Sequence, residues 1–224
     1  MSYHSDLSKI TLDAFQRKLE SAWLPPSRML LKENIAERFA MLKSMGISNV
    51  QVLAQMLRNK KQMAGLSSMQ LFTAEYLTIL LREINSMLPK PNKLSEFSCA
   101  SAEMLGKLEE HGITNTLQLY DKAFNAAGRK NLTEKTGLEA QQLTKLAKLA
   151  DLSRIKWVGA SYAQILFDLG ADTVAKVAAS DPEVLHRQIN RHIKEKNVFK
   201  GSIGLNDVRI LVETAAELTV ELEI

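Results

Sequence analysis

The sequence contains a single cysteine, Cys99, among 224 residues. One cysteine cannot form an internal disulfide, so we expect a reducing compartment, the cytoplasm, and a Cys99 that acts as a small buried hydrophobic residue. No apolar run approaches the ~20 residues that cross a bilayer. The N-terminal stretch lacks a basic head followed by an apolar core. We therefore expect neither a membrane partner nor a secretory signal.

Residues typical of catalytic and metal sites are also sparse. The chain has four histidines, and none lies in a Ser, His and Asp pattern typical of a nucleophile with its base. His186 and His192 are spaced so that they fall on different faces of a helix, with no Cys or carboxylate at metal-ligand spacing nearby. We predict a non-catalytic protein with no metal, no cofactor and no evident small-molecule substrate.

Alternation of apolar and polar residues with period two is not sustained anywhere in the chain. Apolar residues instead recur at helical spacing, for example at Leu7, Ile10, Phe15 and Leu19. A hydrophobic content of 46% with 24% charged residues is ordinary for a globular protein. The sequence therefore predicts an all-α fold.

One short pattern occurs three times: a Leu four residues before a Gly, then a small or branched apolar residue, then Ser, Thr or Asp. The copies are Leu42–Ser48, Leu108–Thr114 and Leu166–Asp172. A glycine after a helix can adopt the left-handed conformation that ends it, and the next apolar residue folds back onto the last turn. We predict a positive φ at Gly46, Gly112 and Gly170, with the following Ser, Thr or Asp capping the next helix.

A Gly-Leu pair follows each copy and is predicted to open a further helix. The pairs are Gly65-Leu66, Gly137-Leu138 and Gly204-Leu205. The shared order predicts three related units packed together. Pro89 and Pro91 mark an internal boundary. We assign residues 1–89 to an N-terminal helical region with the first unit, and residues 92–224 to a tandem domain with units at about 94–152 and about 152–224.

The stretch from Leu152 to Leu166 resembles a helix-hairpin-helix element, in which a Gly-apolar-Gly hairpin joins two closely packed helices. The matching residues are Ile155, Val158, Gly159, Ala163 and Leu166. Trp157 replaces the first hairpin glycine, and the corresponding places in the other two copies hold no glycine. The resemblance implies an all-α fold of three degenerate helix-hairpin-helix-like (SAM-like) units, of which at most one hairpin binds in the usual way.

Residues from about 132 to 218 resemble an uncharacterised bacterial family, domain of unknown function 4332. The residues that carry this resemblance are Thr136-Gly137-Leu138, Ala150-Asp151-Leu152, Arg154-Ile155-Lys156, Val158-Gly159, Asp172-Thr173-Val174 and Asp181-Pro182 with Leu185-His186. Helix-hairpin-helix proteins often bind DNA without sequence preference, through hairpin N–H groups and nearby Lys or Arg. The resemblance therefore implies a DNA or RNA backbone as the partner.

Arg154, Lys156 and Gly159 are the candidate phosphate contacts in this hairpin. Alternatively, Arg154 and Lys156 are solvated cations at the end of a helix, where positive charge is favoured without any ligand. Trp157 could stack on a base, but a large aromatic residue at such a joint is more often part of the core, and we predict the core for it.

The most basic part of the chain runs from His186 to Lys200, where five cations face one carboxylate, Glu195, for a net charge of +4. Leu185, Ile189 and Ile193 form an apolar stripe at helical spacing, while Arg187, Arg191 and Lys194 share another face. That face could follow a phosphate backbone or could simply be a solvated surface. We expect Arg187, Arg191 and Lys194 to lie with Arg154 and Lys156 on one exposed surface if nucleic acid is bound.

Two functions of different classes remain open, and the helix-hairpin-helix resemblance favours the first. The first is a sequence-independent, phosphate-contacting nucleic-acid-binding protein. The second is a helical protein–protein interaction or scaffold protein whose hairpins no longer bind nucleic acid. The mild net charge of +4 and the pI near 9.1 permit an anionic partner without requiring one.

Overall fold

The computed structural model describes residues 3–218 and 222–223, and all regular secondary structure in these residues is helical. The prediction of an all-α fold is confirmed. The chain divides after Leu88 into two compact units, with residues 3–5 belonging to the second. We call residues 6–88 the N-terminal unit and the other described residues the C-terminal unit. No helix within the described ranges is long and apolar enough to cross a membrane.

The N-terminal unit contains five α-helices and two short 3-10 helices. The α-helices are α1 (Leu12–Ser21), α2 (Ile35–Ser44), α3 (Val50–Arg58), α4 (Lys60–Ser67) and α5 (Ala74–Ser86), and the 3-10 helices are Leu7–Lys9 and Pro26–Lys32. Phe15, Phe39, Leu53 and Leu80 are fully buried between these elements. They form the core of this unit.

The C-terminal unit contains the predicted hairpin and the most basic part of the chain. Its helices are the 3-10 helix Leu94–Glu96, α6 (Ala102–Glu109), α7 (Thr116–Ala123), α8 (Ala126–Thr136), α9 (Ala140–Leu152), α10 (Ala160–Asp168), α11 (Val174–Ala178), α12 (Pro182–Lys196) and α13 (Leu205–Ala216). Leu108, Leu149 and Leu166 are buried in its core. Cys99 lies half-buried against this core, and burial raises the pKa of its thiol.

The three glycine joints have the predicted backbone conformation. The φ angles of Gly46, Gly112 and Gly170 are 81°, 72° and 81°. The N–H of Ile113 donates to the carbonyl of Leu108 across the second joint, at 3.0 Å, and the residue after each glycine is buried. The prediction of a helix end with an apolar residue folded back on it is confirmed at each joint.

The caps of the next helices lie one residue later than predicted. The side chains of Asn49, Asn115 and Thr173, and not those of the residues before them, accept from the backbone of the following helix. At the first two joints, the first helical N–H donates to a carbonyl of a distant segment, which fixes where the helix begins. That distant contact cannot be read from the local sequence.

The three Gly-Leu pairs are not equivalent, which corrects the second part of the repeat prediction. Gly65 lies inside α4, Gly137 ends α8 with φ 65°, and Gly204 precedes α13. Helix α4 begins early because the side chain of Asn59 accepts from the N–H groups of Lys61 and Gln62. The arrangement of three helix-hairpin-helix-like units stays a prediction.

Alanine in place of Gly46, Gly112 or Gly170 is expected to lower the free energy of unfolding by about 1 kcal/mol, because a Cβ is disfavoured at positive φ. Gly65→Ala and Gly106→Ala are matched controls, since both glycines lie inside helices and an added Cβ meets nothing within 4 Å. These controls are expected to stabilise by about 0.5–1 kcal/mol. Urea denaturation of the five variants measures both signs, and stabilisation by a joint variant would contradict the argument.

Candidate nucleic-acid interface

The turn between α9 and α10, residues 153–159, is tight and internally bonded. The N–H of Ile155 donates to the carbonyl of Leu152, and the N–H of Val158 donates to that of Ile155, both at 3.1 Å. The side chains of Ile155 and Val158 are buried and anchor the turn to the core. We call this segment the α9–α10 turn.

Trp157 stands at the tip of the α9–α10 turn in the left-handed conformation, with φ 66°. The left-handed conformation costs an L-residue about 1–2 kcal/mol in conformational free energy, whereas a glycine adopts it without strain. The prediction that Trp157 belongs to the core is wrong, because 44% of the residue is exposed. The Lys156 ammonium lies over its indole, with Nζ 4.6 Å from the ring centroid. The turn thus presents an aromatic ring and a cation together.

Arg154 does not belong to this surface, which corrects its prediction as a phosphate contact. The residue is only 3% exposed. Its guanidinium donates to Asp151 Oδ1 at 2.6 Å, to the hydroxyl of Tyr120 at 3.0 Å and to the carbonyl of Tyr3 at 3.0 Å. A cation held in these bonds inside the core cannot reach a phosphate. Four of the five cations expected on one surface therefore remain candidates.

The cluster around Arg154 holds the N-terminal residues against the C-terminal unit. The Tyr3 hydroxyl is hydrogen-bonded to Thr116 Oγ1 at 2.8 Å, and the Tyr3 and Tyr120 rings meet edge to face. Burial raises the pKa of Tyr120 to about 12, so its phenol stays neutral beside Arg154. These contacts explain why residues 3–5 belong to the C-terminal unit and not to the N-terminal region to which the sequence assigned them.

Gly159 precedes α10 in an extended conformation and is exposed. No described side chain accepts a hydrogen bond from the first N–H groups of α10. A Cβ at Gly159 would meet nothing within 4 Å. Local packing therefore does not require a glycine there.

Helix α12 contains the residues for which the sequence showed helical spacing. Asp181 caps it by accepting from the N–H groups of Glu183 and Val184, and Pro182 occupies the first turn. Leu185, Ile189 and Ile193 are buried, which confirms the predicted apolar stripe.

The opposite side of α12 carries three exposed cations, Arg187, Arg191 and Lys194, which we call the α12 stripe. Their spacing places them on one helix face. Within the described ranges, none of the three forms an ion pair or a hydrogen bond, and the nearby Glu195 forms no ion pair either. The stripe is therefore a line of positive charges that are not held in ion pairs with described residues.

The two flanks of α12 are fixed by polar contacts. His186 and Asn190 bind the backbone of Ile203, with Asn190 both donating to its carbonyl and accepting from its N–H. On the other flank His192 Nε2 lies 3.7 Å from Asp168 Oδ2, at the end of α10. These contacts hold the helix so that the α12 stripe faces outward.

The structure brings the predicted residues together in two groups. Arg187, Arg191 and Lys194 share the α12 stripe, and Lys156 and Gly159 share the α9–α10 turn. Helix α10, which begins at this turn, packs against α12. The grouping of the stripe was predicted from helical spacing, whereas the loss of Arg154 was not.

A second basic feature was missed from the sequence. A depression of about 200 Å³ beside α7 and α8 is lined by His111, Lys122, Asn131 and Lys135 among others. His111, Lys122 and Lys135 are well separated in the sequence, so no local pattern pointed to them. Of the described residues, no three His, Cys, Asp or Glu side chains are grouped so that they could hold a metal ion.

The comparisons with known proteins give one match. Neither the comparison with curated proteins nor that with solved structures found a match. The family model described as "Domain of unknown function (DUF4332)" matches residues 98–218, more than half of the chain. The match contains the α9–α10 turn and the α12 stripe, and it begins well before the part in which the sequence resemblance was strongest. The chain therefore belongs to the family of proteins with the domain of unknown function DUF4332.

Proposed function

We propose that this protein is a non-catalytic nucleic-acid-binding protein that contacts the phosphate backbone without reading sequence. The observation that carries the proposal is the α12 stripe, in which Arg187, Arg191 and Lys194 are exposed, aligned and unpaired with any described residue. Cations that meet no carboxylate are available to replace the counterions of a polyanion. Side chains that bind phosphate alone carry no sequence information.

The length of the α12 stripe suits a phosphate backbone. Seven residues of helix rise by about 10 Å from Arg187 to Lys194. Phosphates of one strand follow one another at about 3.4 Å along a duplex axis, so the stripe covers about three steps. Lys156 and the uncapped start of α10 at Gly159 supply a further cation and free N–H groups for an anion.

Simultaneous replacement of Arg187, Arg191 and Lys194 by alanine is expected to weaken duplex binding about equally for all sequences. The slope of log K against log salt concentration should become shallower by about 2.7, because each lost phosphate contact removes about 0.9. Fluorescence anisotropy of a labelled duplex, titrated at several salt concentrations, measures both quantities.

The matched control replaces Lys122, Lys130 and Lys135 by alanine, which removes the same charge from an exposed surface of α7 and α8. This variant should keep the salt slope of the unmodified protein. A loss in the control alone would assign the phosphate site to α7 and α8. Absence of binding by the unmodified protein at ~50 mM salt would reject the proposal.

The second candidate is a helical protein–protein interaction or scaffold protein. The observation that favours it is a set of exposed apolar side chains within or just before the basic part of the chain, namely Val184, Val198 and Phe199. Loss of a protein partner on Phe199→Ser, with no nucleic-acid binding by the unmodified protein, would favour this candidate. Pull-down with a purified partner, followed by calorimetry, provides the measurement.

A further inference from the structure

Trp157 combines a left-handed backbone conformation with an exposed side chain. It adopts the left-handed conformation that a glycine adopts freely, and it stays 44% exposed while doing so. A core residue would offset the backbone strain by burial, but much of this indole remains in solvent. Strained backbone conformations are concentrated at binding and active sites, and the exposed part of this ring is accessible to a ligand.

We propose that Trp157 is a stacking platform for an unpaired base, so that the protein prefers single-stranded over double-stranded nucleic acid. This inference rests on the proposed function and names its substrate class. Every base has a π-face, so stacking on an aromatic ring needs no particular sequence. Bases within a duplex are already stacked on their neighbours, so an exposed ring selects for single strands or frayed ends.

The surroundings of Trp157 suit this role. Ile155 and Val158 are buried on both sides of the tip, and the bond from the Val158 N–H to the Ile155 carbonyl fixes the turn. The backbone that carries the ring is therefore fixed before any ligand arrives, which lowers the cost of ordering this segment on binding. The Lys156 ammonium, with Nζ 4.6 Å from the ring centroid, places a cation beside the ring that can meet the phosphate of a stacked nucleotide.

The test compares Trp157→Gly, Trp157→Phe and the unmodified protein on oligothymidylate and on a duplex of equal length. Trp157→Gly is expected to bind the single strand about tenfold more weakly and the duplex within about twofold of the unmodified protein. Its Tm should be unchanged or higher, because glycine adopts this φ without strain. Trp157→Phe should keep most of the single-strand binding, since its ring still stacks.

Trp23 provides a matched control, because it is 42% exposed and is the only other tryptophan. Trp23→Gly should leave single-strand binding unchanged. In the Trp23→Phe protein all indole fluorescence comes from Trp157, and oligothymidylate should quench it in proportion to binding. This readout does not depend on how stable the Trp157→Gly variant is.

Three results would overturn the inference alone while leaving the proposed function standing. They are unchanged single-strand binding by Trp157→Gly, equal losses for single strand and duplex, and no change in Trp157 fluorescence at saturating oligothymidylate. Absence of any binding by the unmodified protein would overturn the inference and the proposed function together.

Discussion

Arg154→Ala is expected to lower the free energy of unfolding of the C-terminal unit by about 3–5 kcal/mol, which is a large part of the stability of such a domain. The reason is the carboxylate left behind. Asp151 is buried and ion-paired to Arg154 at 2.6 Å, so the variant would leave a negative charge in the core. The carbonyl of Tyr3 and the hydroxyl of Tyr120 would also lose a donor. Urea denaturation followed by circular dichroism measures the change.

Two further variants test whether the effect comes from the buried ion pair. Lys107→Ala breaks an exposed pair with Glu103 on α6 and should leave stability nearly unchanged. Arg154→Met combined with Asp151→Leu removes both charges and should be clearly more stable than Arg154→Ala. A cost below about 1 kcal/mol for Arg154→Ala would show that the guanidinium is not held in the core. Arg154 would then return to the list of phosphate contacts.

Gly128→Ala is expected to destabilise the C-terminal unit by about 1–3 kcal/mol through overpacking. Gly128 lies in the first turn of α8, where a Cβ would overlap the carbonyl oxygen of Lys122 and lie 3.0 Å from Asn125 Oδ1. Asn125 Oδ1 is itself the acceptor that caps α8. A backbone carbonyl cannot rotate away as a flexible side chain can, so α7 and α8 would have to separate.

Gly106→Ala is the control for this second prediction, because Gly106 lies inside α6 and an added Cβ meets nothing within 4 Å. The same substitution should therefore stabilise at Gly106 and destabilise at Gly128. Thermal unfolding of the two variants under identical conditions gives both signs. Equal effects at the two positions would mean that α7 and α8 are not in close contact at Gly128.

Several features of the fold and of the site were determined by nearby residues alone. The positive φ of Gly112 follows from the Leu, the apolar residue and the glycine around it, since a helix end is closed within about one turn. The exposed α12 stripe follows from helical spacing, because Leu185, Ile189 and Ile193 bury one face and leave Arg187 and Arg191 on another.

Other features could not be predicted because they depend on where distant residues lie. The first helical residues after two of the joints donate to carbonyls of remote segments, and these contacts were not predicted. Lys122 and Lys135 meet at one depression only because α7 and α8 fold side by side. No local pattern in the sequence records such contacts.

The α9–α10 turn contains both features that the local sequence predicts and features that depend on tertiary contacts. The resemblance of the sequence to a helix-hairpin-helix element implied a helix end, a turn and a second helix, and the structure has these elements with Ile155 and Val158 buried. Only the tertiary structure decided that Arg154 is buried and Trp157 exposed. The burial of Arg154 depends on Tyr3 and Tyr120, which are remote in sequence. Their carbonyl and hydroxyl oxygens accept hydrogen bonds from the guanidinium in the core.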